Sequence, residues 1–231
     1  MDEDLERQVA GVGALAEPAR RALYAFVCSQ PGPVSREQAA EHTELALHSV
    51  KFHLDRLVEE HLLDVEFRRL SGRSGPGAGR PAKLYRRSPG EVTVSLPERH
   101  YDLAGRLLAG AIEDASRDGT PVVAALQSGA QSFGSGLGAE ARTRAGSPVT
   151  AAAAQSAACD VLAEHGYEPR VTDRSITLQN CPFHRLAQEH TDLVCGMNLD
   201  LVGALAAALD DHLTARLDPV DGRCCVVLDT A

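Results

Sequence analysis

The sequence predicts an α+β fold, mostly helical, in two domains. Three observations predict it. Apolar residues recur at helical spacing through most of the chain, short strand-like runs interrupt them, and the charge divides near Gly90. The 231 residues carry 23 Lys+Arg against 32 Asp+Glu, a formal charge of −9. Residues 1–90 hold 13 basic and 13 acidic residues, whereas 91–231 hold the other 10 and 19 and so carry the whole net charge. The expected domains are 1–90 and 91–231.

The first domain reads as three helices and a hairpin. Pro18 opens a helix at a first-turn position, where its missing N–H costs nothing. Leu15, Ala19, Leu23, Phe26 and Val27 then recur at helical spacing up to Gln30-Pro31-Gly32-Pro33. Ser35 with Gln38 forms a capping box that starts a short second helix to about His42. After the connection Thr43–Leu47, a longer helix carries Val50, Leu54, Leu57 and Val58 on one side and closes around His61. Leu63–Phe67 alternates as a strand does, Gly72–Gly79 is a turn-rich loop, and Ala82–Tyr85 is the returning strand. Helix, helix, turn, helix and hairpin is the order of a winged helix-turn-helix domain.

The second domain begins with a linker or short strand over 91–100. Helices are expected from Tyr101 to about Asp118, Pro121 to about Phe133 and Pro148 to Glu164. Gly134–Ser147, rich in Gly, Ala and Arg, reads as a loop. Tyr167–Val171 and Ser175–Leu178 form a hairpin, followed by helices around Arg185–Leu193 and from about Cys195 to Leu213. Cys224–Leu228 is a final strand. A C-terminal α/β domain with a small antiparallel sheet follows from that order.

Composition excludes several classes. The apolar run Leu201–Leu209 is far below the ~20 residues of a membrane span, and Met1-Asp2-Glu3-Asp4 is the reverse of a secretory signal's basic start. A cytoplasmic protein without membrane contact is expected. There is no Cys-x-x-Cys, P-loop or dinucleotide fingerprint, so an enzyme is not expected.

The average charge argues against nucleic acid, but its distribution does not. Seven basic residues and no acid lie between Arg68 and Arg87, the pattern of an electrostatic footprint. A recognition helix packs its rear face on its domain and lays its first turns along base edges. Val50, Leu54 and Leu57 supply the rear, while His48, Ser49, Lys51 and Phe52 project towards solvent. Arg56, further along, suits a phosphate. In the wing, Arg73, Arg80 and Lys83 suit an adjacent backbone or minor groove. His53, beside Leu54, reads as an orienting residue within the domain.

Six cysteines remain, at 28, 159, 181, 195, 224 and 225. In a reducing compartment such residues are buried thiols, catalytic groups or metal ligands more often than disulfides. Cys28 and Cys159, each alone on an apolar helical face, read as small hydrophobes. Cys181, Cys195 and Cys224 read as metal ligands. Thiolates favour iron–sulfur clusters, zinc or copper(I), which want about four protein ligands. Cys224 and Cys225, as neighbours on a strand, would face opposite ways, leaving room for only one at the site.

Ser49-Val50-Lys51-Phe52-His53-Leu54-Asp55-Arg56-Leu57, Leu62-Leu63 and Gly79-Arg80-Pro81-Ala82-Lys83-Leu84-Tyr85 resemble the DNA-binding half of ArsR/DeoR-type bacterial regulators. The wing and the Asn180-Cys181-Pro182 region are similar to SufR-like iron–sulfur-sensing regulators. That resemblance implies a homodimeric transcriptional repressor that binds a double-stranded DNA operator. It also implies a [4Fe–4S] cluster on Cys181, Cys195 and Cys224, with the second domain serving as sensor and dimerisation domain. The sequence departs from the family's four-cysteine form, because no cysteine stands near Leu209. His184 is the first candidate for the fourth ligand, with Cys225, His190, His212 and Asp210 behind it; an exogenous ligand on an open iron is a further option. Zinc in the same site, a thiol-based redox switch and a thiol oxidoreductase are the alternatives.

Overall fold

A computed structural model describes residues 3–69 and 81–230. The fold is α+β and mostly helical, with two small antiparallel sheets. The chain divides into two compact units, Met1–Val94 and Ser95–Ala231.

In the first unit the order is α1 (Glu3–Ala14), α2 (Pro18–Ser29), β1 (Val34–Ser35), α3 (Arg36–Thr43), α4 (Leu47–Glu59), β2 (Leu63–Arg68) and β3 (Ala82–Arg87). Local chemistry sets these limits. The Glu17 carboxylate accepts from the Ala19 N–H ahead of Pro18, and the Ser35/Gln38 capping box forms in full. Val50, Leu54 and Leu57 of α4 are completely buried with Leu23, Val27 and Tyr85. Each such side chain contributes about 1.5–3 kcal/mol by leaving water. Two elements were not expected: α1 and the two-residue strand β1. The latter is too short for any periodicity and exists because Val34 and Ser35 pair with Tyr85 and Leu84 of β3. The sheet order is β1-β3-β2. The expected loop Gly72–Gly79 lies outside the described residues.

The second unit comprises α5 (Tyr101–Asp118), α6 (Val122–Ala145), α7 (Ala151–Glu164), β4 (Pro169–Val171), β5 (Ser175–Leu178), α8 (His184–Glu189), α9 (Thr191–Leu209), β6 (Leu213–Leu217) and β7 (Val226–Thr230). Its sheet runs β4-β5-β7-β6. Strand β6, which begins where the expected helix closes and runs through a stretch with no expected element, pairs with β7 from Leu213↔Thr230 to Leu217↔Val226.

The expected loop over 134–147 is a correction. Residues Gly134 to Ala145 continue α6, and the glycines that suggested a loop are helix-packing residues. A Cβ at Gly134 would stand 2.0 Å from the Leu201 carbonyl oxygen, and one at Gly138 would stand 2.4 Å from that of Leu205. Four residues apart, they lie on one face of α6 and let α9 approach backbone to backbone. Helix α9 is apolar on nearly every side, as a core helix must be. Among the described residues it is the one helix long and apolar enough to cross a membrane, and half of its most apolar stretch is buried inside the unit.

Candidate functional site

Four cysteines from three separated stretches meet in the second unit. Cys181 lies just after β5, Cys195 in the first turns of α9, and Cys224 and Cys225 immediately before β7. Cys181 neighbours Cys224, Cys224 neighbours Cys225 and Cys225 neighbours Cys195, a string of thiols close enough to shift one another's acidity. Cys181, Cys195 and Cys224 are buried and Cys225 is half-buried.

The strand alternation expected to leave only one of Cys224 and Cys225 at the site does not apply to them. Strand β7 begins at Val226, so alternation does not yet govern the two cysteines. They follow a turn with Gly222 at φ +84°. The Cys224 N–H donates to the Leu178 carbonyl (2.9 Å) and the Asp218 N–H to the Cys225 carbonyl (2.6 Å). Arg223 donates to the Cys224 carbonyl (3.2 Å) and to Asp218 (2.7 Å). These bonds hold the backbone so that both thiols are drawn into the string.

Donor and acceptor roles alternate along it. The Cys181 thiol is held below its ordinary range, chiefly by the bond from Cys224, against burial. Cys225 is brought down to about 6, again chiefly by Cys224. Cys224 is pushed well up by those same two bonds and by burial. Burial, then the bond to Cys225, raises Cys195 to about 12. Cys181 and Cys225 are thus the more acidic thiols of the string, and Cys224 and Cys195 the less acidic.

Two residues that sequence reading missed hold Cys224. The buried Asn198 amide of α9 donates to Cys224 Sγ at 3.3 Å, and its Oδ1 accepts from the Tyr167 hydroxyl at 2.5 Å. Tyr167 is fully buried, which pushes its own pKa well up. An asparagine inside an otherwise apolar helix was the available signal.

The histidines stand elsewhere. His184 opens α8 with its side chain exposed, although its N–H donates to the Cys181 carbonyl (3.1 Å). His190 is exposed as well. His212 is bonded to Asp210 at 2.7 Å, past the far end of α9, roughly 20 Å along the helix from Cys195. Leu209, where a fourth cysteine was sought, is at that same far end. Among the described residues, no three His, Cys, Asp or Glu side chains are gathered so as to hold one metal ion. The four thiols form a string, not a single point. Soft sulfur donors of this kind are what iron–sulfur clusters, zinc and copper(I) all favour.

In the first unit, α4 presents His48, Lys51, Phe52 and Arg56 on its exposed side, with Ser49 half-buried. Phe52 is 64% exposed. His53 is half-buried; its ring lies edge-on to Phe52 at 5.3 Å, and its Nδ1 has no hydrogen-bond partner among the described residues. Arg20 of α2 reaches the same groove, a residue that sequence reading missed because it belongs to another helix. Two expected phosphate contacts are otherwise engaged. Arg56 is paired with Glu59 and Glu60 of its own helix. Lys83 Nζ is 2.5 Å from Asp55 Oδ1, which also accepts from the Tyr85 hydroxyl at 2.9 Å. Lys83 therefore ties β3 to α4 instead of reaching outward. Burial opposes the Asp55 charge, but Lys83 and Tyr85 more than offset it and leave the carboxyl below its ordinary range. Arg73 and Arg80 lie outside the described residues.

No protein-family model, curated protein or solved structure matches the chain.

Proposed function

We propose that the chain is a sequence-specific DNA-binding regulator whose four C-terminal cysteines hold an iron–sulfur cluster. The observation that carries the reading is the string of neighbouring thiols at 181, 224, 225 and 195, drawn from three stretches of chain, three of them buried. Cys225 replaces His184 as the fourth ligand in this reading. A bound cluster would supply a redox-active, oxidation-sensitive crosslink between β5, α9 and β7. The chain's own part is to shield it, to orient Cys224 through Asn198, and to lower the cost of losing a proton on binding at Cys181 and Cys225.

The first unit is read as a winged helix-turn-helix domain. α3 and α4 are its helix pair, with β2 and β3 as the wing. The exposed first turns of α4 offer a cation at Lys51, a donor–acceptor at His48 and an apolar face at Phe52, suited to phosphate, base edge and thymine methyl respectively. A homodimer would set two such helices one DNA turn, ~34 Å, apart. The acidic second unit would stay off the phosphates.

Selection of bound duplexes from a random pool, followed by titration of the best duplex with anaerobic and air-exposed protein, tests this. The reading expects a selected sequence, a log–log salt dependence shallower in Lys51→Ala, and a shift in affinity on air exposure. No selected sequence and no salt-dependent binding would remove it. A second reading, a metal-free thiol switch, draws on the same contacts, since Cys181 with Cys224 and Cys195 with Cys225 are already adjacent pairs.

A further inference from the structure

The segment that leaves the first unit is fastened to the loop carrying Cys181. Arg99 Nη1 donates to the Cys181 carbonyl at 2.6 Å and to Asn180 Oδ1 at 2.5 Å. The Asn180 amide donates back to the Glu98 carbonyl at 2.9 Å and to the Gly166 carbonyl at 2.5 Å. The His100 N–H donates to the Pro182 carbonyl at 3.1 Å, and the Arg185 N–H to the Tyr101 hydroxyl at 3.4 Å. Gly166, at φ +76°, leaves room for the segment: a Cβ there would stand 3.3 Å from both Glu98 Cβ and His100 Cδ2. Residues 98–101 thus make five polar contacts to residues 180–185, while the Glu98 and His100 side chains pair with each other at 3.0 Å.

Nothing in the chemistry of a linker requires this. A connection between two units is usually solvated and polar, with few contacts of its own. Here Asn180, only 6% exposed, is spent on it, and Arg99 brings a charge-assisted bond, the stronger kind. The Cys181 backbone is held from one side by Arg99 and its thiol from the other by Cys224. A displacement of Cys181 must pull on both.

We propose that Arg99 is a positioning residue for Cys181 and that residues 98–101 are a strap within the second unit that responds to the state of the thiol site. This rests on the reading of the four cysteines as a sensing site. With Cys181 in place, the strap is fixed at Glu98 and Arg99. With Cys181 displaced, Arg99 and Asn180 lose their shared geometry and residues 98–101 are released.

Hydrogen exchange on the full chain, followed peptide by peptide, tests it. The probe is N-ethylmaleimide, with mass spectrometry reporting which cysteines carry it. Modification at Cys181 should speed exchange in 98–101 and 180–185 at least tenfold and leave β6, at Leu213–Leu217, unchanged. Arg99→Ala should show fast exchange in 98–101 before modification and no further response to it, and Arg99→Lys should restore part of the protection. Unchanged exchange in 98–101 in Cys181-modified protein, or in Arg99→Ala, would overturn the strap. Global acceleration would mean that the modified unit had unfolded, and the Arg99 variants then decide alone. Iron content is measured on the same samples. Iron-free protein whose strap still responds keeps this inference and removes the cluster.

Discussion

The two candidate sites differ in how they are built. In the first unit the exposed groups His48, Lys51 and Phe52 stand on one continuous helix of 13 residues with its rear face buried. In the second, four thiols come from a strand end, a helix start and a turn. A site on one helix is written in the helical period, so the buried set Val50, Leu54 and Leu57 locates the exposed set. A site assembled from three separated stretches is written only in residue type. Its geometry depends on bonds such as that from Asp218 N–H to the Cys225 carbonyl, which no local pattern encodes.

That contrast can be tested from its largest consequence down. Gly138→Val should be the most damaging change, because its Cβ meets the Leu205 carbonyl oxygen and the Ala208 Cβ inside 2.7 Å. Overpacking typically costs about 1–3 kcal/mol, and a clash with backbone belongs at or beyond the top of that range. Urea denaturation should show the second unit's transition lost or shifted by about 3 kcal/mol, with the first unit's transition unmoved.

Asn198→Ala comes next. It leaves the buried Tyr167 hydroxyl without its acceptor and Cys224 Sγ without a donor, at a cost of about 1–3 kcal/mol. The same variant should alkylate faster at Cys224, read by mass spectrometry, whereas Asn198→Asp should keep the Tyr167 bond and lose only the donor to sulfur.

A smaller effect belongs to the first unit. Asp55→Asn removes the charge that Lys83 and Tyr85 share, for about 1 kcal/mol, since the pair is partly solvated. The pH dependence follows from the depressed carboxyl. Its stabilising contribution is complete above the unfolded carboxylate value, near 4, and is lost as pH falls through the lower folded value. The first unit of Asp55→Asn should therefore lose less stability than wild type between about pH 5 and the acid limit, as followed by thermal melts.

Much of the fold was legible. Pro18, the Ser35/Gln38 box and the apolar spacing of α4 placed three helices nearly to the residue, and Leu63 and Ala82 began strands where alternation put them. The failures have physical causes. Gly134 and Gly138 look like loop residues in sequence because glycine is a weak helix former, but a helix held against α9 over its whole length overrides that preference. Strand β6 was hidden because Leu213–Leu217 is stabilised by pairing with β7 and not by its own pattern. At the candidate site, residue type alone singles out Cys181, Cys195 and Cys224, and the structure brings them near one another together with Cys225. The strand expected from Cys224 begins at Val226, so alternation does not order Cys224 against Cys225. Lys83 was assigned to DNA because its charge was visible and Asp55, 28 residues away, was not recognised as its partner.

The most direct measurement is the iron and acid-labile sulfide content of anaerobically purified full-length protein, alongside the Cys225→Ser and His184→Ala variants. The account expects iron and sulfide in roughly equal amounts in wild type and in His184→Ala, and a loss of at least half of both in Cys225→Ser. Colourless wild-type protein without iron or sulfide, or a cluster that depends on His184 and not on Cys225, would contradict it.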